Sequence, residues 1–222
     1  MRTIFTILLL GIIATDFGQI KKEEVNLTDF IREIEQWKKE NDRIQFVAWM
    51  PVDYWEIVGS QNNNVSPQTI SQMKTAMKDF VLVYVLDMRI NRDGTMEFKS
   101  TDEIKNDLAL IDSANLKYYP LPEQKISENA LKIGVQLKPF FAQNMGKMGQ
   151  GINIFYFQAK DSKGQDLVNP RLKNSFRIRE GGKEFGWVLP LVSLMPPKYC
   201  PVDKEKMKGN WNYCPIHGVK LD

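Results

Sequence analysis

Both cysteines and the only histidine of this 222-residue chain lie near its C-terminal end. They stand in two short stretches, Tyr199-Cys200-Pro201-Val202-Asp203 and Tyr213-Cys214-Pro215-Ile216-His217-Gly218. Thiolate, imidazole and carboxylate are the donors that borderline-soft metal ions take. Two thiols are equally the raw material of a disulfide. Cys214 and His217 are three apart, so both can face one ion from a tight turn, and Gly218 lets the backbone return.

Each stretch reads Cys-Pro-x-ligand, and ten residues separate Asp203 from Cys214, about a hairpin's length. The pair resembles a zinc ribbon over residues 199–221. The second knuckle matches that pattern well. The first departs from it: Asp203 stands where a second cysteine is usual, and Lys204 where glycine is usual. The resemblance implies one zinc held tetrahedrally by Cys200, Asp203, Cys214 and His217, since a carboxylate oxygen is an accepted zinc ligand. Four protein ligands leave no open position, so the implied role is structural. Facing knuckles also bring the two sulfurs close, so a Cys200–Cys214 disulfide is the alternative, favoured by an oxidising compartment. Cys-Pro-x-His-Gly resembles half of a Rieske iron–sulfur centre as well. That centre needs two histidines, and Val202 stands where the other would be. Tyr199, Trp211 and Tyr213 are expected to cover the small core of this tail; the other reading makes them a partner or glycan surface.

Elsewhere the chemistry is thinner. Asp53 and Glu56 are three apart on an expected helical turn and could act as a carboxylate pair, with Asp87 a further candidate. A Ser-His-Asp or Cys-His arrangement would have to borrow His217 from the knuckle. Asn91-Arg92-Asp93-Gly94 lacks the alternating acids and closing glutamate of a calcium loop. The glycines at 146, 149 and 151 follow a helix and precede a strand, the wrong order for a phosphate-cradling turn. The cysteines do not form a Cys-x-x-Cys redox motif.

The elements that must position these residues begin with an export signal. Arg2, an apolar run from Ile4 to Ala14 and an exit through Gly18 read as a signal peptide over residues 1–19, too short for a membrane span. No second long apolar stretch follows, so no stable membrane insertion of the mature chain is expected, and the location is periplasmic or secreted. Loss of Arg2 and Asp16 leaves the formal charge at +3, too little to argue for nucleic acid or an anionic membrane.

Periodicity predicts helices over 26–42, 66–80 and 139–148, with shorter helical turns after Pro51 and Ser100. Strands are expected at 44–51, 81–90 and 95–98. Four more are expected at 132–138 (Ile133, Val135 and Leu137 alternating with polar residues), 152–157, 175–179 and 185–191. Elements of both kinds without strict alternation indicate an α+β domain over residues 25–195. Its sheet is mixed or antiparallel, with several short helices, and a small zinc-ribbon-like hairpin module at 196–222 follows Pro196-Pro197. The function expected is that of a binding or interaction protein of the cell envelope, with an envelope protein or glycan as partner. The alternative is an exported hydrolase using a carboxylate pair.

Overall fold

The computed structural model describes residues 25–60 and 65–221. The signal segment expected over residues 1–19 and residues 61–64 lie outside them. Helix α1 (Leu27–Ile34) starts at Asn26, whose side chain accepts from the Asp29 N–H at 3.0 Å, and it buries Phe30 and Ile34. The helix expected to continue to Asp42 stops at Glu35. Strand β1 (Glu35–Glu40) replaces its second half and pairs residue by residue with β2 (Arg43–Met50). Trp37 therefore sits opposite Phe46, ring on ring at 4.5 Å. A short amphipathic stretch has little helical stability of its own, and an adjacent strand decides its state.

Helices α2 (Asp53–Ser60) and α3 (Pro67–Met77) follow, α3 with Ser66 as cap and Pro67 in its first turn as expected. The long strand β3 (Phe80–Ile90) returns through a tight turn to β4 (Met96–Phe98). Ser100 and Glu103 then close a capping box on α4 (Thr101–Lys105). Next come β5 (Ala109–Ile111) and β6 (Lys117–Tyr118), then α5 (Glu128–Gln136), α6 (Lys138–Met145) and α7 (Lys147–Gln150). Strands β7 (Asn153–Gln158), β8 (Asn174–Glu180) and β9 (Lys183–Leu189) precede the tail, where β10 (Lys198–Tyr199) pairs with β11 (Lys206–Met207).

One sheet runs β1-β2-β3-β4, with β7 also on β3; the second runs β6-β5-β8-β9. All their pairings are antiparallel, and the fold is α+β. Strands β2 and β3 are covered on both faces, as the unbroken apolar run of β3 predicts. Trp49 points to the second sheet, its ring 4.8 Å from Phe176, which stacks on Trp187 at 5.0 Å. On the opposite face Tyr84 meets Phe141 of α6 at 4.8 Å.

The strand expected at 132–138 is instead helical, most of it in α5. Ser127 caps that helix through the Ala130 N–H, and Ala130 and Gly134, four apart, form its buried stripe. Their carbonyls accept from the Tyr156 and Tyr84 hydroxyls at 2.9 and 3.0 Å. A Cβ on Gly134 would lie 1.9 Å from the Tyr156 oxygen, so this close approach needs glycine. The alternation of Ile133, Val135 and Leu137 is real but misleading: Val135 faces solvent.

Glu33 fixes the exit toward the tail. Its carboxylate accepts from the backbone N–H groups of Val192 and Ser193 at 3.1 and 3.0 Å, while its carbonyl accepts from the Trp187 indole at 2.9 Å.

Candidate metal centre

The tail builds one turn twice. In the first copy Lys204 N–H donates to Cys200 C=O at 2.8 Å, and Cys200 N–H donates to Glu205 C=O at 3.0 Å. In the second, Gly218 N–H donates to Cys214 C=O at 2.9 Å, and Cys214 N–H donates to Val219 C=O at 2.8 Å. The match extends outward, with Tyr199 opposite Lys206 and Tyr213 opposite Lys220. It extends to the backbone angles too: Lys204 has φ 63° and Gly218 φ 64°. Lys204 thus takes up a left-handed conformation that glycine adopts at no steric cost. Asp203 and His217 occupy equivalent places in the two turns.

The turns face each other. Cys200, Cys214 and His217 bring their ligand atoms within 4.8 Å of one another. His217 Nδ1 lies 3.4 Å from Cys200 Sγ and 3.6 Å from Cys214 Sγ. Asp203 stands at the edge of this group, its Oδ2 3.7 Å from His217 Nδ1. Its other oxygen accepts from the Glu205 N–H at 3.0 Å, which helps hold the carboxylate below its ordinary range. Both cysteines are buried free thiols, close to disulfide distance. A set of two sulfurs and an imidazole nitrogen could hold a metal ion.

No protein-family model, curated protein or solved structure matches this chain.

The two thiols differ. Burial pushes Cys200 up. Burial acts on Cys214 in the same sense, but the backbone N–H groups of His217 and Ile216 and the nearby imidazole outweigh it and pull this thiol down. The His217 N–H points at Cys214 Sγ from 3.4 Å. Donors aimed at sulfur favour the thiolate, the form that binds metal.

The buried side chains of the tail form their own cluster of Cys200, Met207, Cys214 and Leu221, with Val219 packed against it. Tyr199, Trp211 and Tyr213 are exposed, contrary to the expectation that they cover this core. Successive side chains of extended backbone point to opposite sides. An inward Cys200 or Cys214 therefore turns the preceding tyrosine outward.

The carboxylate candidates are dispersed. Asp53 is bound by Arg171 at 2.7 Å, and Glu56 by Lys74 at 2.6 Å, so the two do not act on one point. Asp87 is buried and paired with Arg43 and Lys99. Its carboxylate partner is Glu180, one residue beyond the strand expected at 175–179. One signal for it existed. Phe176, Ile178 and Glu180 are two apart on β8, so Glu180 shares their buried face.

Proposed function

We propose that residues 196–222 are a structural zinc staple at the end of an exported binding protein of the cell envelope whose main domain spans residues 25–195. The observation that carries the metal reading is the pair of sulfur–nitrogen separations. Ideal tetrahedral zinc with ordinary bond lengths places S and N about 3.5 Å apart. The observed 3.4 and 3.6 Å bracket that value. Asp203, beside His217, is the fourth donor of this reading. Four protein donors close the coordination sphere, so the ion ties the two turns together and does no chemistry on a substrate.

Export rests on the order of charge, apolar run and small-residue exit over residues 1–19. A binding role is favoured over hydrolysis because Asp53 and Glu56 are each held by a separate cation. The remaining carboxyl pair, Asp87 and Glu180, is buried, at 1% and 0% exposure, and paired with Arg43 and Lys99.

Cell fractionation followed by intact-mass measurement tests the export half. A product in the envelope or medium, shortened at or near residue 19, supports it; a full-length product confined to the cytoplasm refutes it. Metal analysis tests the staple independently.

A further inference from the structure

Among the described residues, five of the thirteen exposed large apolar side chains fall within residues 199–216: Tyr199, Val202, Trp211, Tyr213 and Ile216. Single exposed apolar residues are ordinary; these five are carried by two turns that close on one point. Its layout follows from the repeated turn. Val202 and Ile216 are the free residues of the two Cys-Pro-x turns, 61% and 65% exposed. Both turns close on the point where Cys200, Cys214 and His217 meet, so both tips lie at that end of the tail.

Each exposed aromatic residue is accompanied by a lysine. Lys206 stands opposite Tyr199 and Lys220 opposite Tyr213, while Lys198 Nζ donates to the Trp211 carbonyl at 2.7 Å. Residues 196–222 hold five lysines against three acids, an excess of two positive charges out of the chain's formal +3. A zinc ion bound by two thiolates leaves that excess unchanged.

We propose that this end of the tail docks on the surface of an anionic lipid bilayer. Val202 and Ile216 enter the boundary between headgroups and acyl chains. Tyr199, Trp211 and Tyr213 lie at headgroup level, where amphipathic rings are favoured, and the lysines meet the lipid phosphates. The aliphatic tips decide for lipid over single-stranded nucleic acid. Bases stack on aromatic faces, and Val202 and Ile216 offer them none. The proposal deepens the envelope reading by naming the surface met there, and it uses the shape of the knuckles rather than the identity of the ion.

The test is co-sedimentation of the chain from residue 20 onward, which retains every described residue. The vesicles are phosphatidylcholine alone, or equal parts phosphatidylcholine and phosphatidylglycerol. Binding is expected to the anionic vesicles and to weaken with added salt. Val202→Asp with Ile216→Asp should reduce it at least tenfold. Lys206→Gln with Lys220→Gln should reduce it by about fivefold per lysine. The lysine variant leaves the apolar tips intact, so it reports even where the aspartates disturb the turns. Zinc content measured on the same samples separates loss of the staple from loss of the surface. No partition to anionic vesicles, equal partition to neutral ones, binding unchanged in both variants, or binding to a single-stranded oligonucleotide in place of vesicles would overturn the proposal.

Discussion

Asp87 and Glu180 come from different sheets and meet between them, carboxyl against carboxyl. Lys99 Nζ reaches both, at 2.5 and 3.5 Å, and Arg43 Nε donates to Asp87 at 2.7 Å. Gln45 donates to Glu180 from the neighbouring strand. Burial and the adjacent Asp87 push Glu180 up to about 7. Burial works against ionisation of Asp87 too, yet Arg43, Lys99 and the Glu180 proton together hold it low. Glu180 is thus the protonated member of the pair in mildly acidic solution.

The sign of the pH dependence follows. A carboxyl raised by folding contributes stability that is fully present below its ordinary value of 4.5 and is lost as pH climbs through about 7. Asp87 acts oppositely, its contribution being lost only as pH falls through its lowered value. Denaturant unfolding should therefore show stability declining between about pH 4.5 and 7 by on the order of 2 kcal/mol. Glu180→Gln should flatten that limb. A variant retaining the full decline would show that another group causes it.

The inter-sheet core gives a second expectation. Trp49 touches both Phe176 and Trp187, and all three are buried. Trp49→Ala should cost about 3–5 kcal/mol in chemical unfolding. A loss under 1 kcal/mol would mean that the sheets do not depend on this contact.

Lys204 offers a stabilising change. Its φ of 63° matches that of Gly218 in the sister turn, and non-glycine residues bear a steric cost there. Lys204→Gly should stabilise the first turn by about 1 kcal/mol, read as slower loss of metal to a chelator. Faster loss would contradict the equivalence of the two turns.

These two turns also show what the sequence made legible. Cys-Pro-x-Asp and Cys-Pro-x-His announce paired knuckles, because turn and ligand occupy the same few residues. The α+β class was legible for a similar reason: Ser66-Pro67, Ser100 with Glu103 and the run Val81–Leu86 carry local signals. The strand at Glu35–Glu40 and the helix at Glu128–Gln136 were not legible, since each is set by a partner outside its own segment. Trp37 answers to Phe46, and Gly134 to Tyr156. The link of Asp87 to Glu180 was hidden for the same cause; period-two patterning shows that Glu180 is inward but not what it meets.

The ligands should rank by their place in the centre. His217→Ala removes the nitrogen that lies 3.4 and 3.6 Å from the two sulfurs and should abolish stoichiometric zinc binding. Asp203→Ala removes the outermost donor and should weaken affinity by roughly ten- to a hundredfold. Competition with a chromogenic chelator measures both. Equal effects would contradict this ranking, and no effect of Asp203→Ala would remove Asp203 from the coordination sphere.

The central claim is that the tail is closed by zinc. It is tested most directly by metal analysis joined to thiol titration of the protein purified without reductant. The account predicts one zinc per chain, with the two cysteine thiols of the chain titrating only after chelation. Protein without metal and without a free thiol, its two cysteines joined as a disulfide, would contradict it.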